Sequence, residues 1–145
     1  MVGSVHQLSP GLRLRIARPD LPPGYVHLSR VDAALDECRP GQVTVVAAGP
    51  GYGKTLAVVA WSERSRTDQP VAWLIADATD TAGSFWGGVL TSLAAAGAVA
   101  GDSELGEIVP GGGFGRPELD RIIDGLADLS PPATLVVDEV HRLED

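Results

Sequence analysis

The residues with the clearest chemical signature are Ala48-Gly49-Pro50-Gly51-Tyr52-Gly53-Lys54-Thr55. They fit G-x-x-x-x-G-K-[ST], with Ala48 in the place of the first glycine. The residue types follow from what a phosphate needs. Glycines let the main chain curl until successive N–H groups point into one anion-sized hollow, and the N-terminus of a following helix reinforces it. Lys54 would then neutralise the β- and γ-phosphates, and the Thr55 hydroxyl would ligate Mg²⁺. The expected nucleotide contacts run from Gly49 through Pro50, Gly51, Tyr52, Gly53, Lys54 and Thr55 to Leu56. A glycine turn with a solvated lysine is the bland alternative. Against it, Lys54 is the only lysine in a chain whose other strongly basic residues are all arginine.

A second constellation is Leu135-Val136-Val137-Asp138-Glu139, an apolar run ending in two carboxylates. Alone it is a weak signal, because many strands end in acidic residues at a solvated edge. Downstream of a phosphate loop, Asp138 is expected to hold Mg²⁺, directly or through water, and Glu139 to polarise the attacking water as the catalytic carboxylate. Other residues have weaker claims. Trp73, Phe85 and Trp86 are expected in the core, as is Cys38, while His141 and Asp77 are expected at solvated strand ends.

These groups need elements to position them. Ser29 and Asp32 fit a capping box, followed by a helical face of Val31, Ala34, Leu35 and Cys38. The β-branched run from Val43 to Ala48 predicts a buried strand leading into the loop, and Thr55 to Arg64 predicts the helix after it. Val71 to Ile75 predicts a second strand. Phe85, Trp86, Val89, Leu90 and Leu93 predict a helix with one broad apolar face. The Gly-rich stretch from Gly97 to Gly115 is expected to be surface loop, including the connector Gly111–Gly115. Pro117 suits the first turn of a helix carrying Leu119, Ile122, Ile123, Leu126 and Leu129. Ser130-Pro131-Pro132 ends that helix before a last strand, Thr134 to Val137. Strands and helices in alternation, with nearly all-apolar strands, predict an α/β fold with a parallel sheet and flanking helices. Residues 1–24, rich in Arg and Pro, are expected to be extended lead-in, and 25–145 the folded domain.

Composition sets outer limits. Eleven Lys+Arg against nineteen Asp+Glu leaves a net charge of −8, which disfavours direct nucleic-acid contact and a polybasic membrane contact. No apolar run is long enough for a signal peptide or a membrane span. A single cysteine excludes an internal disulfide, which fits a reducing, cytoplasmic compartment.

Several segments together resemble a known family. The run Leu21-Pro22-Pro23-Gly24-Tyr25-Val26, then Arg30 to Leu35, then Val43 to Thr55 is similar to the MalT-like bacterial regulators. So are Pro70-Val71-Ala72-Trp73-Leu74, Asp77, Phe85-Trp86 and the segment Leu135 to His141. These regulators are signal-transducing (STAND) ATPases of the AAA+-related group, often ending in a LuxR-type helix-turn-helix. Glu139 departs from the pattern, since many relatives carry a second aspartate there. The resemblance implies a P-loop NTPase fold, ATP and Mg²⁺ as cofactors, and a switch whose nucleotide state controls transcription. It also implies that Arg30 approaches the nucleotide. In the family sheet, strand one lies between strands five and four, followed by three and then two. With Asp138 on strand three, no residues remain for strands four and five. The expectation is therefore a module cut after the Asp138 strand, with DNA-reading parts elsewhere and open strand edges that invite self-association. A small P-loop kinase and a non-catalytic remnant that keeps the loop are the competing expectations.

Overall fold

The computed structural model describes residues 8–64, 69–108 and 113–143. It is a mixed α/β structure with six helices and a two-stranded parallel sheet among those residues. The helices are α1 (Pro10–Ile16), α2 (Ser29–Asp36), α3 (Lys54–Arg64), α4 (Ala82–Ala95), α5 (Glu104–Glu107) and α6 (Arg116–Ala127); the strands are β1 (Val71–Ile75) and β2 (Thr134–Asp138). Two compact units result. One joins the chain through Ala17 to the residues from Pro70 onward, and the other spans Arg18–Gln69.

In the first unit, β1 pairs with β2 in the register Val71↔Thr134 to Ile75↔Asp138. The ladder extends at both ends, through Thr134 N–H to the Pro70 carbonyl and Ala76 N–H to the Asp138 carbonyl, each 2.9 Å. Ala72 and Leu74 pack against Val89, Leu90 and Leu93 of α4 and Ile122 of α6; Leu74, Val89 and Ile122 have no exposed surface. Gly88 on α4 permits this approach, since a Cβ there would lie 3.0 Å from Leu74 Cδ1. Thr81 and Ser84 cap α4 reciprocally: Ser84 N–H donates to Thr81 Oγ1 at 3.2 Å and Thr81 N–H to Ser84 Oγ at 2.9 Å. At α6, Pro117 falls in the first turn as expected, and the Gly115 N–H donates to Glu118 Oε2 at 3.0 Å. Trp73 is buried, and Phe85 and Trp86 pack half-buried against the core.

Four expectations are corrected. The lead-in is not wholly extended: α1 forms within it, with Ser9 Oγ accepting from Leu12 N–H at 3.2 Å and Pro10 in the first turn. Its residues 1–7 lie outside the described residues. Inside the Gly-rich stretch, Ser103 caps the short helix α5, and Leu105 gives it an apolar anchor in the core. Gly111 and Gly112 of the expected connector are likewise outside the described residues. Ser29 opens α2 as its first helical residue without a side-chain cap, and the helix stops before Cys38, which is exposed. Last, the Val43–Ala48 segment is not a strand. Val43 is 93% exposed and Val45 77% exposed. A β-branched run becomes a strand only when its N–H and C=O groups find a ladder, and the described residues hold no strand paired with this one.

Helix α1 is fixed to the end of β1 by one side chain. Arg15 Nε donates to the Ile75 carbonyl at 2.8 Å, Nη1 donates to Asp80 Oδ1 at 3.0 Å, and Nη2 pairs with Asp80 Oδ2. Burial alone would raise the Asp80 carboxyl. Its bonds from Arg15, the Asp77 N–H and the Ser84 hydroxyl outweigh that and hold it below the ordinary value of 3.8. A carboxyl depressed in this way stabilises the fold above its unfolded value, and the contribution is lost as pH falls through the folded value. Arg15→Ala leaves a 3% exposed carboxylate without its cation. The expected cost at pH 7 is about 2–4 kcal/mol. In urea titrations, the gap between wild type and variant should hold down to about pH 4 and shrink below it.

Candidate phosphate-binding loop and acidic strand end

The loop belongs to the second unit, between the Val43–Ala47 segment and α3. Gly51 (φ +80°) and Gly53 (φ +71°) take left-handed backbone conformations that other residues adopt only at a cost. Gly49 is not among the left-handed glycines, and its neighbour is an aromatic ring. A Cβ there would lie 3.1 Å from Cε2 and 3.3 Å from Cδ2 of Tyr52. The ring edge is close enough that a side chain at 49 would have to push it aside by a few tenths of an ångström. Tyr52 is itself 77% exposed.

Lys54 begins α3, and the Ala57 N–H closes the first turn on the Gly53 carbonyl at 2.9 Å. Its ammonium reaches back over the loop, donating to the Ala48 carbonyl at 2.8 Å and the Gly49 carbonyl at 3.0 Å. One cation therefore sits over the curl, at the electropositive end of an 11-residue helix. An anion bound there would meet main-chain amides, the helix dipole and the ammonium together. Thr55 and Leu56 follow in the first turn, both half-buried. The Ala48 carbonyl is a partner that residue types could not reveal, because any residue supplies a carbonyl.

Two helices flank the loop, and two acidic residues of α2 tie them. Asp36, at the end of α2, accepts from Trp61 Nε1 at 3.0 Å and from Arg64 Nη2 at 2.9 and 3.0 Å. Asp32 lies 3.7 Å from Arg64 Nε. Arg30 stands at the start of α2 and lines an open groove of about 310 Å³ with Val31, Ala34, Leu35 and the Thr44–Ala47 chain. Cys38, expected in the core, instead lies with its Sγ 2.9 Å from Thr44 Oγ1.

Asp138 and Glu139 belong to the first unit, at the C-terminal end of β2. Asp138 Oδ1 accepts from the Glu139 N–H at 2.9 Å. Glu139 has φ +56°, a left-handed conformation that costs a non-glycine residue about 1–2 kcal/mol. Its carboxylate accepts from Arg142 Nε at 2.9 Å and lies 3.6 Å from His141 Nε2. His141 is exposed, as expected. Asp77, at the end of β1, accepts from the Thr79 hydroxyl at 2.6 Å and the Thr79 N–H at 2.9 Å; these bonds hold its carboxyl below the ordinary value. The described residues contain no cluster of three or more His, Cys, Asp or Glu side chains able to hold a metal by themselves. A cation at Asp138 would thus need further ligands of another kind, such as a hydroxyl, water or a bound phosphate.

The Arg64 guanidinium, followed by the Trp61 indole N–H, holds the Asp36 carboxyl below its ordinary value of 3.8. The α2–α3 tie is accordingly at full strength above that value and fails as pH falls through the lower folded one. Asp36→Ala should lower the melting temperature at pH 7 and change tryptophan emission, since Trp61 Nε1 loses its acceptor. As pH falls below the lowered folded value, the variant and the wild type should converge.

No helix among the described residues is long and apolar enough to cross a membrane. Comparisons with protein-family models, curated proteins and solved structures return no match for this chain.

Proposed function

We propose that this chain binds Mg-ATP through the Gly49–Thr55 loop and serves as the nucleotide-binding part of a STAND-type P-loop ATPase switch in a bacterial transcriptional regulator. The observation that carries the proposal is the combination at the start of α3. Left-handed Gly51 and Gly53 curl the main chain, and the sole lysine is held over that curl by two loop carbonyls. This arrangement suits a polyphosphate better than a neutral ligand, because its contributions are fixed positive charge and main-chain donors. In this proposal Lys54 engages the β- and γ-phosphates and Thr55 takes the Mg²⁺ ion. Asp138 supplies the metal's acidic partner and Glu139 the carboxylate that orients water for hydrolysis. Arg30 contacts the nucleotide from the start of α2.

The identity of the switch rests on the resemblance to MalT-like regulators, and the parallel β1–β2 pair is in keeping with neighbouring strands two and three of that sheet. DNA contact is not assigned to these residues, whose net charge of −8 opposes it. The competing kinase proposal requires an acceptor site and an arginine-bearing lid, and no observation favours it.

Isothermal titration with ATP and Mg²⁺ tests the proposal. Lys54→Ala removes charge-assisted bonds of about 1.5–3 kcal/mol each, so affinity should fall at least tenfold. Asp138→Asn should weaken the Mg²⁺ dependence of binding while leaving metal-free binding largely intact. Equal affinity in wild type and Lys54→Ala would sink the proposal. Phosphate release without any added acceptor would separate an ATPase from a kinase.

A further inference from the structure

We infer that Tyr52 is a positioning residue for Lys54, acting through the Gly49 peptide and not through its hydroxyl; the inference rests on the proposal that the loop binds phosphate. Three observations carry it. The Cδ2–Cε2 edge of the Tyr52 ring lies beside Gly49, with Cε2 3.1 Å from where a Cβ there would stand, although the ring is largely in water. Burial does not account for that placement, because a 77% exposed ring gains little from the hydrophobic effect. Second, Gly49 is not among the glycines with positive φ, and the nearest atoms that a Cβ there would meet belong to this ring, which would have to shift by a few tenths of an ångström. Third, the carbonyl of this same residue accepts from Lys54 Nζ at 3.0 Å.

Gly49 is thereby held between an aromatic ring and an ammonium group. A loop with three glycines among five residues would otherwise sample many conformations. With the ring in place, the 48–49 carbonyls face Lys54 before any ligand arrives, so less ordering is left for the binding step. The hydroxyl has no part in this arrangement, and the role belongs to the Cδ2–Cε2 edge of the ring.

The first test needs no nucleotide. Because Lys54 is the sole lysine, its acylation rate by acetic anhydride can be followed on one peptide by mass spectrometry, separately from the N-terminus. Tyr52→Ala and Gly49→Ala should each raise that rate, and Tyr52→Phe should restore the protection. An unchanged rate in Tyr52→Ala, with circular dichroism matching wild type, overturns the inference whatever the chain binds.

The second test is a double-mutant cycle on Mg-ATP affinity. Each single substitution should weaken binding by about two- to tenfold, and the double variant should be no weaker than the worse single one. Additive losses, or a Tyr52→Phe loss equal to that of Tyr52→Ala, mean that the side chain touches ligand directly and overturn the positioning role. If wild type binds no nucleotide while the acylation pattern holds, the phosphate proposal fails and the positioning role stands.

Discussion

Two strands that run the same way cannot be joined by a tight turn, and that restriction sets the layout of the residues from Pro70 onward. The parallel ladder between β1 and β2 requires a long crossover, and the chain fills it with α4, α5 and α6. Once these helices exist, their apolar faces need a partner, and Ala72 and Leu74 of β1 supply it. The same pairing brings the end of β1 into register with Asp138, so acidic side chains collect where both strands stop. Arg15 answers part of that charge and carries α1 with it.

The loop of the second unit rests on main-chain chemistry instead. Its distinguishing contacts are a carbonyl pair under an ammonium, two left-handed glycines and one close ring. Two side chains act in it, the Lys54 ammonium on the carbonyls and the Tyr52 ring beside Gly49. A site of this kind tolerates substitution wherever the peptide group alone is used, as at Ala48, and resists it where a Cβ or an altered φ would intrude.

Much of this was legible from residue types. Strands β1 and β2, α4 and α6 follow from apolar periodicity that tertiary packing then uses, and α3 begins where the loop motif requires a helix. Several of the misses share a cause: a partner remote in sequence. Val43–Ala48 has the composition of a strand, but composition does not provide a neighbouring ladder. Residues of α1 look like lead-in until Arg15 meets Asp80, 65 positions away. Short α5 was hidden by glycines around it, and Leu105 anchors it only because the core leaves room there. Cys38 falls two residues past the end of α2, where helical spacing no longer applies. The Asp36–Trp61–Arg64 tie has no local pattern at all, since its members sit 25 and 28 residues apart.

Glu139 holds a backbone shape that glycine would adopt without penalty, directly after the last residue of β2. Heat resistance and the acid therefore pull in opposite directions at this codon. In a randomised library sorted only for survival at elevated temperature, this position should drift toward glycine or asparagine, and retention of glutamate would mark a second selective pressure acting on the carboxylate.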